Sequence, residues 1–332
     1  MTASPVAIEL ARHARRIGPI LQELVPRDGD ESAFLGGPAW YHLETGGKRI
    51  RSALCLLTAE ALGGDSEKAL HFAAAVELLH NMLLVHDDIE DGDTVRRNQP
   101  TVWKRFGLAN AINIGDYLFA RSLRAVILSP VPGEVRARLV DLFLSTYERT
   151  IAGQALDINS RCDARFTIED YLRMVTLKTG HYLVLGMVGG AIIAGAPEAT
   201  LDCLRRLGES LGPAFQIRDD ILDLTAGKGR GGVSGSDIRE GKASILYAHA
   251  LAHSSPAESE RLLKVMRKPR EEKTDSDVAA VLGLYGRCGS IAFAQEMADR
   301  LILQAQRALD ALPAGQQSLF RELLTYIAER KT

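Results

Sequence analysis

The stretch SEKALHFAAAVELLHNMLLVHDDIE, residues 66–90, decides the fold class. Alanine, leucine and glutamate dominate it and no proline or glycine interrupts it, so it predicts a helix of roughly six to seven turns, longer than average. Apolar residues at helical spacing recur on both sides of it. They predict helices over Val6–Leu24, Ile50–Ala61, Ala111–Leu128, Pro132–Asn159, Ile168–Val188 and Ala199–Leu224. Further along they predict Lys242–Leu251, Glu258–Val265, Asp275–Leu284, Ser290–Leu312 and Gln316–Arg330. Gly212-Pro213 falls inside Ala199–Leu224, so a kink or a split is expected there. No convincing period-two alternation interrupts the series, and the chain reads as an all-α helical bundle. The runs are too contiguous to mark a linker, so residues 1–332 are read as one domain. In Thr225–Gly235, TAGKGRGGVSG, glycines disfavour a helix, and a lid or hinge is the better account.

Composition narrows the function without choosing it. The chain has 332 residues, 46% hydrophobic and 25% charged, which is ample for a core and argues against global disorder. A formal net charge of -2 and a pI near 6.5 give no field that would draw the protein to nucleic acid or an anionic membrane. Any anionic ligand must be held locally. The four cysteines, Cys55, Cys162, Cys203 and Cys288, are far apart, and no secretory leader pattern precedes them, so a reducing, cytoplasmic setting is expected. The uncharged run Thr179–Pro197, TGHYLVLGMVGGAIIAGAP, is close to membrane-span length, but it holds eight glycines or alanines and a histidine. We read it as a core helix with close helix neighbours and expect no stable membrane span.

Two short segments look alike. HDDIEDGD carries Asp87, Asp88 and Asp91; FQIRDDILDL carries Asp219, Asp220 and Asp223. On a helix, residues four apart lie on one face, and each trio closes an apolar helix at its C-terminal end, where the dipole disfavours negative charge. Three carboxylates there destabilise the helix unless a cation offsets them. Oxygen donors without histidine or cysteine suit Mg²⁺, whose octahedral shell is completed by water and substrate phosphates. Solvated acidic helix ends are the bland alternative for either segment alone. Two copies on apolar helices, each followed by basic residues, argue against it.

Those basic residues are Lys48 and Arg51 in GGKRIRS, Arg96 and Arg97 in RRNQPT, Lys178 in LKTG, and Lys228, Arg230, Arg239 and Lys242 in the second loop. Arginine offers phosphate a rigid donor fork and lysine a mobile point charge. The pattern suits two anionic substrates, one held through metal and the other by side chains. Taken singly, Lys48, Arg96 or Lys178 is better read as an idle residue in solvent. The glycines at 227–235 fit neither a Walker loop nor a dinucleotide fingerprint, and GxSxG and HExxH are both missing. His80 lies about two turns, roughly 10 Å, before Asp87 on the same helix, as a core histidine or a ligand.

Taken together, the motifs YHLETGGKRIR (41–51), ELLHNMLLVHDDIEDGDTVRRNQPT, GDYLFA (115–120), GQALDI (153–158), LKTG, AFQIRDDILD and GSDIREGK resemble those of the trans-isoprenyl diphosphate synthases, in order and over nearly the whole chain. The resemblance implies the isoprenoid synthase helical bundle with a central active-site cavity, as a homodimer. It implies a Mg²⁺-dependent transferase that condenses isopentenyl diphosphate with dimethylallyl, geranyl or farnesyl diphosphate, releasing diphosphate and lengthening an all-trans chain. Asp87, Asp88 and Asp91 would bind two of about three Mg²⁺ ions, and Asp219, Asp220 and Asp223 the third. Arg96, Lys178 and Lys242 would hold the allylic diphosphate, with Thr179 and Gln216 nearby. Lys48, Arg51, His80 and Arg97 would hold isopentenyl diphosphate.

Several positions depart from the family pattern. Gly232 falls where a lysine is usual, which leaves Lys228 or Arg230 to supply the charge or weakens the allylic site. Asn98 replaces a usual glycine, Trp103 a histidine, Ser52 a proline and Ser244 a threonine. The wall that sets product length would carry Leu79, Met82 and Leu83, flexible and without aromatics, so passage beyond farnesyl to geranylgeranyl diphosphate is expected. Two rivals remain at this level. A class I terpene cyclase would bring a different second metal motif and a more aromatic pocket than the 6% aromatic content here suggests, and a non-catalytic subunit would carry damaged ligands, hinted at only by Gly232.

Overall fold

The computed structural model describes residues 5–27, 32–225 and 234–328. They are helical almost throughout. In chain order the helices are α1 (Pro5–Leu24), α2 (Ser32–Leu43), α3 (Ile50–Ala61), α4 (Leu70–Glu90), α5 (Val102–Phe106), α6 (Leu108–Ile127) and α7 (Gly133–Ser160). After these come α8 (Ile168–Val175), a π-helical turn (Thr176–Gly180), α9 (His181–Ile193) and α10 (Glu198–Asp223). The remainder are α11 (Ser236–Glu240), α12 (Ile245–His253), α13 (Pro256–Met266), α14 (Asp275–Arg287), α15 (Ser290–Ala308) and α16 (Ala314–Ala328). No single described helix is long and apolar enough to cross a membrane.

Local chemistry explains the ends. Thr167, Ser255 and Thr274 each close a reciprocal capping box at the start of α8, α13 and α14. Ser244 caps α12 by accepting the Tyr247 amide, so serine performs the capping that threonine would.

The chain divides into two compact units. The first comprises Met1–Thr146, Val184–Leu204 and Leu312–Glu322. Helix α4 is its axis: Phe72 to Leu79 are all buried, so this part of the helix is apolar nearly all round and packs against α3 and α6. The glycine-rich part of α9 belongs here too. A Cβ at Gly186 would stand 2.3 Å from the Arg51 carbonyl, one at Gly190 2.3 Å from the Cys55 carbonyl, and one at Gly189 1.9 Å from the Phe72 ring. The run of small residues therefore serves close helix packing.

The second unit comprises Tyr147–Leu183, Arg205–Ala311 and Leu323–Thr332. Its core gathers Tyr171, Ile217, Ile238, Tyr247, Val281 and Tyr285, all at most 5% exposed. The π-helical turn sits among three glycines. A Cβ at Gly153 would lie 2.3 Å from the Lys178 amide nitrogen, one at Gly180 2.9 Å from the Gly208 carbonyl, and one at Gly212 2.3 Å from the Gly180 Cα. Missing side chains make room for the wider turn.

Four expectations from the sequence need correction. Helix α2 was not expected, because SAFLGGPAWYHL holds two glycines and Pro38; burial of Ala39, Trp40 and Leu43, with the Trp40 indole donating to the Val25 carbonyl at 2.7 Å, overrides propensity. Ile168–Val188 is not one α-helix but is interrupted by the π-helical turn. Of the kink or split expected at Gly212-Pro213, the split does not occur: α10 runs unbroken from Glu198 to Asp223. A two-stranded hairpin, β1 (Val95–Arg96) and β2 (Gln99–Pro100), also occurs, too short to leave an alternating pattern.

Candidate active site

In the first unit, α4 ends in the first acidic trio. Asp87 is half-buried, the Asp88 side chain is fully buried, and Asp91 is buried at the C-cap, its amide bonded to the Asp87 carbonyl at 2.9 Å. Arg96 Nε donates to Asp88 Oδ1 at 2.6 Å, while Asp88 Oδ2 is buried without a hydrogen-bond partner among the described residues. Burial pushes the Asp88 carboxyl up to about 6 against the pull of Arg96, and Asp93 and Asp87 add repulsion.

The hairpin that carries Arg96 turns through Arg97 (φ 52) and Asn98 (φ 63). Two left-handed residues between paired strands match the twist of a type I′ loop, and asparagine tolerates that region better than most residues. Asn98 thus fills a position suited to glycine. Trp103 replaces histidine with a competent donor, its indole reaching the Asp93 carbonyl at 2.7 Å, and Thr101 Oγ1 reaches the same oxygen at 2.8 Å.

The other cations of this unit gather upstream. Removal from water holds the half-buried His80 well below the usual imidazole range, and the charges of Arg51, Arg97 and Arg96 push it further down. His42, behind it, is held down at about 3 by burial first and then by Arg96 and Arg97. Lys48 is exposed in the loop before α3, and the Arg97 guanidinium lies 3.1 Å from where a Cβ on Gly47 would stand. Ser52 donates to buried Glu77 at 2.7 Å, a hydrogen bond that proline could not make. Arg51, Arg97 and His80 therefore lie within electrostatic reach of one another. On the same helix Leu79 and Met82 are buried, and Leu83, one turn before Asp87, is half-buried.

In the second unit, α10 ends in the second trio. Asp219 is half-buried; Asp220 and Asp223 are 4% and 7% exposed. Tyr171 Oη donates to Asp220 Oδ2 at 2.7 Å and Gln216 Nε2 to Asp220 Oδ1 at 3.0 Å. The Asp237 amide donates to Asp223 Oδ2 at 3.0 Å, whereas Asp223 Oδ1 is buried without a hydrogen-bond partner among the described residues. Burial, then the charge of Asp237, pushes both carboxyls above the usual range. Lys178, on the π-helical turn, pairs with Asp157 at 2.6 Å, and Lys242 lies 3.5 Å from Asp237 and 2.9 Å from Glu240. Arg239 is committed elsewhere, to the Lys273 carbonyl and Asp275. Lys228, Arg230 and Gly232 lie outside the described residues.

The second unit thus brings Asp220, Asp223, Lys242 and Gln216 together and adds three residues that sequence reasoning left without a role. Asp157 and Asp237 stand inside GQALDI and GSDIREGK, so their carboxylates were visible. Tyr171 left no signal, because in sequence it is one more apolar position of α8.

Among the described residues no three His, Cys, Asp or Glu side chains converge closely enough to hold a metal as they stand. The donor set nevertheless fits a hard divalent cation: each trio holds one buried carboxylate oxygen without a partner, among carboxyls whose ionised form burial disfavours. A pH dependence follows. The Asp88 carboxyl binds its proton more tightly folded than unfolded, so its contribution to stability is complete below about pH 4 and is lost as pH rises through about 6. Asp220 and Asp223 act in the same direction. Calorimetry without divalent ions is expected to give a higher thermal midpoint at pH 5 than at pH 7.5, by on the order of a few degrees. Mg²⁺ is expected to raise the midpoint more at pH 7.5 than at pH 5; equal increments would contradict this account.

The all-α chain thus ends a helix in an aspartate trio twice, each time with arginine or lysine nearby. The model described as polyprenyl synthetase matches residues 32–284, and the chain belongs to that family. A short chain isoprenyl diphosphate synthase of Methanothermobacter thermautotrophicus is 36% identical over 87% of each chain. A geranylgeranyl diphosphate synthase of Methanosarcina mazei is 32% identical over 97% of each. The crystal structure of a geranylgeranyl pyrophosphate synthetase from Pyrococcus horikoshii superposes with a TM-score of 0.89 at 35% identity, over 98% of each chain.

Proposed function

We propose that the chain condenses isopentenyl diphosphate with an allylic diphosphate, releasing diphosphate and giving a longer all-trans product, geranylgeranyl diphosphate. The observation that carries this reading is the repeated aspartate trio at the end of an apolar helix, each with a buried carboxylate oxygen left unpartnered among the described residues. The names of the relatives support the product. In this reading residues 1–332 work as a single domain, paired as a homodimer in the cytoplasm, and the two trios serve one reaction.

Asp87, Asp88, Asp91, Asp219, Asp220 and Asp223 would hold about three Mg²⁺ ions. When bound, Mg²⁺ supplies the positive field that stabilises diphosphate as it leaves the allylic carbon. Arg96, Lys178 and Lys242, with Thr179 and Gln216, hold the allylic diphosphate in place. For this Lys178 must exchange its Asp157 partner for phosphate oxygen, and Arg96 its bond to Asp88. Lys48, Arg51, His80 and Arg97 orient isopentenyl diphosphate; removal from water keeps His80 a neutral hydrogen-bonding group there. Departure of diphosphate leaves an allylic carbocation, which the double bond of isopentenyl diphosphate attacks to form the new carbon–carbon bond; the apolar face of α4 would exclude water that would quench that carbocation. No base among these residues is assigned to the final proton, which leaves with the departing diphosphate.

Incubating the purified protein with isopentenyl diphosphate, each allylic diphosphate in turn and Mg²⁺, then sizing the products, tests the reading. Elongation to twenty carbons is expected. Cyclised hydrocarbons, or no product from any starter, would overturn it. Met82→Phe is expected to shift the product toward fifteen carbons, because a larger side chain raises the floor under the growing tail; an unchanged product length would remove Met82 from that wall.

A further inference from the structure

We propose that Tyr171 is a positioning residue of the second acidic trio, its buried hydroxyl fixing the direction in which Asp220 presents its carboxylate to a divalent cation; this rests on the prenyl-transfer reading above. Tyr171 is 1% exposed and Asp220 4%, and their oxygens are 2.7 Å apart. The second oxygen of Asp220 is held by Gln216 at 3.0 Å, from one turn earlier on α10. An aspartate free to turn about its two side-chain torsions presents its lone pairs in many directions. With a donor on each oxygen, it presents them in one.

Tyr171 is itself well placed to be rigid. Its amide bonds to the Thr167 carbonyl at 3.0 Å inside the capping box that begins α8, and its ring is wedged in the apolar core of this unit. Further along the same segment, on the π-helical turn, Lys178 pairs with Asp157. One short stretch of chain therefore sets both a carboxylate expected at the metal and a cation expected at the phosphate.

A purely structural role is the alternative, in which Asp220 merely satisfies a buried phenol. The two differ in what Tyr171→Phe changes, since that substitution removes only the hydroxyl. Outer-shell partners of metal ligands typically contribute 10- to 100-fold in affinity. Mn²⁺ binding in the presence of inorganic diphosphate, followed by electron paramagnetic resonance on the full-length protein at a temperature where both forms are folded, is expected to show Kd raised about 10-fold in Tyr171→Phe. The Mg²⁺ concentration that half-saturates elongation is expected to rise in step. Gln216→Leu, which withdraws the other donor, is expected to weaken Mn²⁺ further when combined with it. Mn²⁺ affinity within about twofold of the wild type in Tyr171→Phe would overturn the proposal, whatever became of the thermal midpoint. The titration decides the role of Tyr171 by itself. Failure of the wild type to elongate any starter would fall instead on the prenyl-transfer reading.

Discussion

Replacing Asp223 by asparagine is expected to lower kcat for elongation on the order of 100- to 1000-fold while raising the thermal midpoint of the metal-free protein. The two effects have one origin. Asp223 is 7% exposed, its Oδ1 is buried without a hydrogen-bond partner among the described residues, and the nearby Asp237 carboxylate repels it. The Asp237 amide, Ser236 and the charge of Lys242 pull the other way. Asparagine keeps the shape and can still accept the Asp237 amide, but it carries no charge to be desolvated and none to offer a cation. A buried charge that lowers stability in the metal-free protein is what a binding site for a divalent ion requires. Calorimetry and single-turnover kinetics read the two halves separately. An Asp223→Asn protein that is destabilised yet elongates normally would show that the carboxylate is structural.

The second large effect is expected from Gly190→Ala. A Cβ there would stand 2.3 Å from the Cys55 carbonyl and 3.2 Å from the Ala59 amide nitrogen. Both obstacles are backbone of α3 and cannot rotate away, so α9 and α3 must separate along a contact that also brings Gly186 against the Arg51 carbonyl. Overpacking of this kind costs about 3 kcal/mol, which for a chain of this length lowers the thermal midpoint by about 4 °C. Because Arg51 stands in the first turn of α3, KM for isopentenyl diphosphate is expected to rise with the loss of stability. A variant with the wild-type midpoint would mean that the two helices have slack that the distances deny. Gly37→Ala serves as control, since nothing lies within 4 Å of a Cβ there.

The helical class and most helix positions were legible because the apolar period of α1, α3, α4, α6 and α7 is carried by the residues themselves. The acidic ends of α4 and α10 were legible for the opposite reason: charge placed where a helix disfavours it stands out. What could not be read depended on partners distant in sequence. Helix α2 forms because Trp40 and its neighbours find burial, and the π-helical turn forms because glycines at 153 and 212 stand beside it. The same holds at the site. Lys178 was legible as a cation but not as the partner of Asp157, and Arg96 was legible as a phosphate donor but not as the partner of Asp88. Gly232 lies outside the described residues, and its departure from the family pattern keeps the meaning given it from sequence.

The two donors on Asp220 also bear on which ion the site prefers. With one lone pair of each oxygen already taken by Tyr171 and Gln216, this carboxylate is suited to a single short bond and poorly suited to straddling an ion with both oxygens. A small ion that keeps much of its own hydration asks for no more than that, whereas a larger one such as Ca²⁺ gathers six to eight oxygens and gains from chelating carboxylates. On the proposed reading, a tyrosine and a glutamine that need never touch the ion would set the radius it must have.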